Sequence, residues 1–273
     1  MRKQTRRMTV LLTALAALAS AAVAAAATVV VAPGQTNGWA VVNDTCGAAT
    51  SGSVAFVSGP ATPPAGTGSA QFSVGANGDS YPTLRTSDFN GVKLADLTSL
   101  DYWTYVSHSG TGGQAPYLDL YVDLDNNGTR DDILTFEPIY NGSVTLNTWQ
   151  HWNALTGMWW SDNLGGPPPL FSLASYVSSH PNARILASAE RSLILAAGCG
   201  GAAWTNFVGN ADKLTVGVKG VNTTFDFEAS APAPPPSPQP SHKVTICHKG
   251  HTISVDQHAI PAHLRHGDHI GPC

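Results

Sequence analysis

Four carboxylates and two amides crowd the segment DLDNNGTRDD, residues 123–132. Asp123, Asp125 and Asn127 alternate ahead of Gly128, and Asp131 and Asp132 follow. Calcium takes six to eight hard oxygen ligands, and alternate acidic positions before a glycine turn are one way to supply them. The twelfth position is Leu134 rather than a bidentate glutamate, and the segment joins two expected strands, so a helix-loop-helix calcium hand is excluded. The expectation is a hairpin stapled by calcium for a structural purpose through Asp123, Asp125, Asn127, Asp131 and Asp132. The alternative is an Asn-Gly hairpin whose acids are simply solvated.

A second constellation lies just upstream. Tyr117, Asp119, Tyr121 and Asp123 alternate with Leu118, Leu120, Val122 and Leu124, the period of a strand with one wet and one dry face. Sugar recognition needs flat aromatic surfaces and hydroxyl-pairing carboxylates, which that strand offers on one side. Trp149, Trp152, Trp159 and Trp160 form a further aromatic cluster. Adjacent Trp159 and Trp160 on a strand must point to opposite faces, so at most one is core. Tyr117, Asp119, Tyr121 and Trp160 are therefore the candidate ligand-binding residues, with core and edge packing as the competing role for the aromatics. Catalytic motifs are absent: there is no GxSxG elbow, HExxH helix or phosphate-binding loop. His108, His151 and His180 are expected in the core without a partner motif. Asp119, Asp123 and Glu137 could serve glycoside hydrolysis only if the fold converges them, and Glu137 reads more simply as a strand residue before Pro138.

The third constellation is at the C-terminus, where seven of the ten histidines lie from His242 onward. Pro261 can start a short helix that Gly267 ends, which would put His263 and His266 at i and i+3 with His269 close behind. That spacing can chelate zinc or copper, the alternative being imidazoles that hydrogen-bond locally on a cross-linked knot. Cys46 and Cys199 precede a Pro-rich stretch, and Cys247 and Cys273 follow it. Three pairings are possible, and pairing within each side is favoured. Closing the 27-residue tail loop would stabilise it by roughly 3.5 kcal/mol in the chain-entropy model. There is no CxxC for redox catalysis.

These residues need elements to position them. The 273 residues carry 14 Lys and Arg against 18 Asp and Glu, a formal charge of −4, and only 12% are charged. A basic nucleic-acid binder is disfavoured, and so is charge-driven disorder. Arg2, Lys3, Arg6 and Arg7 precede an Ala- and Leu-rich run ending at Ala25, Ala26 and Ala27, which predicts a secretory signal peptide over 1–27. Its loss leaves ten basic against 18 acidic residues and no stable membrane span, although the apolar run continues through Val29, Val30 and Val31. SAPAPPPSPQPS at 230–241 is a polyproline-like spacer, so the boundaries are 28–229, a linker over 230–242, and a tail over 243–273. The larger part alternates in period two at Ala70 to Val74, Leu100 to Val106, Leu214 to Val218 and Phe225 to Phe227, between Gly-, Asn- and Pro-rich turns. That pattern predicts an all-β, two-sheet sandwich or jelly roll. Leu170, Leu173, Tyr176 and Val177 sit at helical spacing after three prolines and predict a short helical insertion. The tail is too short to fold without a staple.

Two stretches resemble known modules. VTICHK and IPAHLRHGDHIGPC resemble a short C-terminal module of secreted bacterial proteins, in which a CH dipeptide is followed by HLxHGD and a closing Cys. That resemblance implies export and an extracellular or cell-surface setting. LADLTSLDYWTYV, the acidic turn and KLTVGVKGVNTTFDFEA resemble secreted β-sandwich modules of the galactose-binding or lectin type, which implies fold more than function. The resulting expectation is a secreted, non-catalytic module that binds an extracellular glycan or cell-surface polymer. Its rivals are a secreted glycoside or polysaccharide hydrolase and a purely structural surface protein.

Overall fold

The computed structural model describes residues 26–47, 52–232 and 242–273. The expected signal peptide, apart from its last two residues, and most of the expected linker lie outside the described residues. The chain divides into two compact units between Ala231 and Pro232.

In chain order the larger unit runs β1 (Ala27–Val31), β2 (Trp39–Thr45), β3 (Ser53–Ser58), β4 (Gly68–Ser73), β5 (Ser80–Thr86), β6 (Leu97–His108), β7 (Tyr117–Asp123) and β8 (Asp132–Phe136). It continues with β9 (Trp149–Asn153), β10 (Met158–Ser161), β11 (Phe171–Ser172), α1 (Leu173–Ser179), β12 (Arg184–Ile185), β13 (Leu193–Ala196), β14 (Val208–Val218) and β15 (Val221–Phe227). These strands form two sheets, as an all-β sandwich with a short helical insertion requires.

The first sheet is built around β14. β6 flanks it along one edge, while β4 and β15 share the other, pairing with Val208–Ala211 and Leu214–Val218 respectively. β1 adds in parallel to β15, setting Val29 opposite Phe225 and Val31 opposite Phe227. Val29 to Val31 thus belong to the folded sheet, with Val31 fully buried. No helix among the described residues is long and apolar enough to cross a membrane.

The second sheet runs β11-β10-β8-β7-β13-β5-β2, with β12 beside the end of β7. Period two sorts its residues cleanly. Leu118, Leu120 and Val122 of β7, with Leu193 and Leu195 of β13, enter the core against Phe72, Leu100, Val216 and Phe225 of the first sheet. The opposite face of β7 carries the tyrosines and Asp119. Ser172 caps α1 by accepting from the Ser175 amide, and the helix buries Leu173 and Tyr176.

The smaller unit is a three-stranded sheet of β16 (Lys243–His248), β17 (His251–Asp256) and β18 (His269–Ile270), with α2 (Ile260–Arg265) between the last two. Its apolar interior is minimal: Ile246 and Cys247 are its buried hydrophobic residues among those described. Each unit holds its own disulfide, Cys46–Cys199 in the larger and Cys247–Cys273 in the smaller. The histidines expected in the core are not there. His108, at the end of β6, and His151, opposite Trp103 on the outer side of β9, are exposed, and His180, which ends α1, is half-buried.

Candidate functional site: a cleft on the outer face of the second sheet

Strand register assembles a polar row on the face turned away from the core. Trp160 pairs with Thr135, Thr135 with Asp119, Asp119 with Ile194, and Ile194 with Arg85. Paired residues in an antiparallel sheet share a face, so five strands deliver one continuous line of side chains. Tyr117 and Tyr121 flank Asp119 on β7, and Tyr81 joins from β5. Glu137 lies one step beyond the Leu118–Phe136 pair, next to Tyr117. These groups, Ile194 and Arg85 excepted, line a cleft of about 530 Å³.

The walls come from outside the sheet. On one side Gly198, Cys199, Gly200 and Trp204 rise over Tyr117, with the Tyr117 and Trp204 rings in edge contact at 5.5 Å. The Cys46–Cys199 disulfide ties that wall to the end of β2. On the other side Asp162 and Pro167 stand beyond Trp160. Gly198 takes a positive φ of 94°, and a Cβ there would strike the Ser80 carbonyl, so the wall can lie close over β5 only with glycine at this position.

The cleft holds two carboxyl groups in different surroundings. Asp119 is 4% exposed and accepts from the Tyr81 hydroxyl and the Thr135 hydroxyl, each at 2.6 Å. Burial raises its pKa to about 6 against the opposing pull of those hydrogen bonds and of Arg85. Glu137 accepts from the Trp160 indole N–H at 3.0 Å, and burial raises it to about 7, with the charge of Asp119 adding to the shift. Near neutral pH one group is mainly an acceptor and the other both donor and acceptor. That combination suits hydroxyl-rich ligands, and it also suits proton transfer. The Arg85 guanidinium stays on this face, with its Nε donating to Thr83 and its carbon 5.5 Å from the Tyr81 ring centre.

All four expected ligand residues, Tyr117, Asp119, Tyr121 and Trp160, thus line one cleft. Trp159 and Trp160 divide as strand geometry demands: Trp159 is 0% exposed and donates to the Ala154 carbonyl, while Trp160 faces the cleft. Tyr81, Arg85 and Trp204 escaped the sequence reading. Pro82 disguises the strand of Tyr81 and Arg85, although Tyr81, Thr83 and Arg85 do alternate there, and Trp204 lies in a short turn of helix at Gly201–Trp204 with no period to mark it.

The acidic turn lies at the far end of β7. Asp123 accepts from the amides of Asp125, Asn126, Asn127 and Gly128. Burial would raise its pKa, but those four N–H groups outweigh it and hold the carboxyl below the usual range. Carboxylate oxygens of Asp123, Asp125 and Asp131 converge within 4.8 Å. Asn127 turns its side-chain oxygen to the amide of Thr129 instead. Asp132 points away, accepting from Ser161 and Tyr176 at 2.8 Å beside a separate cavity of about 310 Å³. Asp131, just before β8, instead accepts from the Leu124 amide at 2.7 Å, so the two neighbouring carboxyl groups turn to different partners.

In the smaller unit the expected trio of His263, His266 and His269 does not assemble. α2 ends at Arg265, so His266 leaves the helix, and His269 is exposed on β18. His263 meets His248 and Asp268 instead. The Asp268 carboxylate oxygen accepts from His248 Nδ1 at 2.6 Å and from His263 Nδ1 at 2.8 Å. These interactions hold Asp268 below the usual carboxylate range, the His248 hydrogen bond contributing most. In comparisons with known proteins, no family model, no curated relative and no solved structure matches the chain.

Proposed function

We propose that the larger unit is an extracellular glycan-recognition module whose cleft binds a sugar chain. The observation that carries this reading is the convergence of Tyr117, Tyr121, Trp160, Asp119 and Glu137 on one cleft. The partly exposed Trp160 ring and the cleft-lining edges of the buried Tyr117 and Tyr121 supply apolar surface for C–H faces, and the carboxyl groups pair with hydroxyls. Export is supported by the basic, alanine-rich N-terminal residues and by two disulfides, which persist in oxidising compartments. The setting is then the cell surface or the medium, in keeping with the resemblance to lectin-type modules and to the secreted C-terminal module. A polysaccharide array probed with the chain tests the reading. Retention is expected on one glycan class and should fall at least tenfold in Tyr121→Ala, which also costs stability because that ring is buried, and in Trp160→Ala with the melting temperature nearly unchanged. Silence across the array, or binding indifferent to both substitutions, overturns it.

A second reading, a glycoside hydrolase, is favoured by one observation: Asp119 and Glu137 project from neighbouring strands into the same cleft with pKa values raised to about 6 and about 7. Release of reducing ends on the same array, abolished by Glu137→Gln with binding retained, would replace recognition by catalysis. Calcium at Asp123, Asp125 and Asp131 completes the proposal as a structural staple of the β7–β8 turn. EDTA should lower the melting temperature, and Asp125→Ala should remove the difference. An unchanged melting curve excludes calcium.

A further inference from the structure

We propose that the C-terminal unit binds a divalent transition metal, zinc or copper(II), between His248, His263 and Asp268. The proposal is independent of the glycan reading, because it concerns different residues in a different unit.

Three separate constraints deliver the donors. β16 and β18 pair Ile246 with Ile270 and Cys247 with His269, and one further step of that register sets Asp268 beside His248. Gly267, at a φ of 89°, ends α2 and turns the chain so that the Asp268 amide bonds the His263 carbonyl at 3.2 Å. This local loop brings the Asp268 carboxylate to the His263 ring. The neighbouring Cys247–Cys273 bridge locks the β16 end of the arrangement.

The donor atoms lie within 4.8 Å of one another. Two imidazoles and one carboxylate form a borderline nitrogen and oxygen set suited to zinc or copper(II), and unsuited to calcium, which prefers oxygen alone. Bonds of about 2.0–2.2 Å in tetrahedral geometry separate neighbouring donors by roughly 3.3 Å. The present separations of 2.6 and 2.8 Å need to widen by about 0.7 and about 0.5 Å. The His248 and His263 side chains are 34% and 25% exposed while Asp268 is 4% exposed. The metal would therefore reach the site from solvent and keep a water in its remaining position.

The physical need is visible in the same unit. With Ile246 and Cys247 as its buried hydrophobic residues, it lacks the core to hold β16, α2 and β18 together, and a metal joining all three is a second staple beside the disulfide.

The test titrates the full chain with zinc and, separately, copper(II), with excess calcium present to occupy oxygen-only sites. One equivalent is expected to bind, at least tenfold more weakly in His248→Ala and Asp268→Asn and within twofold of the parent in the His266→Ala, His269→Ala double variant. Unchanged affinity in the first two variants, or loss in the double variant, overturns the proposal. Mass spectrometry without reduction checks that each variant keeps Cys247–Cys273. Electron paramagnetic resonance of the copper(II)-loaded parent reports the ligands without any substitution. Two equatorial imidazole nitrogens are expected, and any other number overturns the assignment.

Discussion

Asp119 and Asp268 are the same residue type in two units, and their environments drive them in opposite directions. Asp119 is buried at the floor of a sheet-face cleft, so desolvation dominates and its proton is held more tightly. Asp268 sits between two imidazoles on a unit with almost no core, so its hydrogen-bonding partners dominate and its proton is released more readily. A unit with a continuous core can bury polar groups at a cost that packing elsewhere offsets. A unit of about 32 residues must organise its polar groups through cross-links and shared partners instead.

The disulfides offer the largest test of that contrast. Cys46–Cys199 spans 153 residues and Cys247–Cys273 spans 26, so chain entropy assigns them about 5 and about 3.5 kcal/mol. The smaller number should nevertheless have the larger structural consequence. Replacing Cys247 and Cys273 by serine should abolish amide protection throughout β16 to β18 in hydrogen exchange. Replacing Cys46 and Cys199 should lower the melting temperature and loosen the 198–204 wall, yet leave the β7 and β13 amides protected. Intact protection in the tail without its bridge would show that its other contacts suffice.

Within the larger unit, Trp159 and Trp160 separate core from cleft at adjacent positions. Trp159→Ala should destabilise by about 3–5 kcal/mol through the lost burial and the cavity it leaves. Trp160→Ala should cost about 1 kcal/mol or less, as is usual for substitutions outside the core, while removing ligand contact. Chemical denaturation measures both, and equal costs would place Trp160 in the core rather than the site.

The finest test is the sign of the pH dependence. Asp119 and Glu137 have folded pKa values above their unfolded ones, so the stability they contribute is fully present below about pH 4 and is lost as pH rises through about 6 and 7. Asp268 is lowered, so its contribution is present above the unfolded carboxylate pKa and disappears as pH falls through the lower folded value. Between pH 4 and 7 the larger unit's melting temperature should fall more steeply in the parent than in an Asp119→Asn, Glu137→Gln variant. The tail, followed by hydrogen exchange, should lose protection only on further acidification. Parallel slopes in parent and variant would contradict the burial of the pair.

Much of this arrangement was legible in the residues. Alternation from Tyr117 to Asp123 marked a strand with a polar face, the adjacent tryptophans had to diverge, and the spacer separated two pairs of cysteines. The less legible parts depended on partners far along the chain. Glu137 looked like a strand end before Pro138, because nothing local shows that Trp160 donates to it. His266 looked like a ligand because an i and i+3 spacing assumes that the helix continues, whereas α2 stops at Arg265. His248 lies 15 residues before His263 and is brought to it by strand register rather than helical period.

The sequence by itself determined the strand periods, the faces on which aromatic and acidic residues fall, and the need to staple the tail. These follow from short-range backbone geometry, which repeats every two residues in a strand wherever the strand lies. Only the tertiary structure decided which strands are neighbours. That choice placed Asp119 beside Thr135 and near Tyr81, raised a disulfide-tied wall over them, and set His248 and Asp268 rather than His266 and His269 around His263. Such pairings arise from sheet register, chain reversal and core packing between distant segments, and spacing along the chain does not encode them.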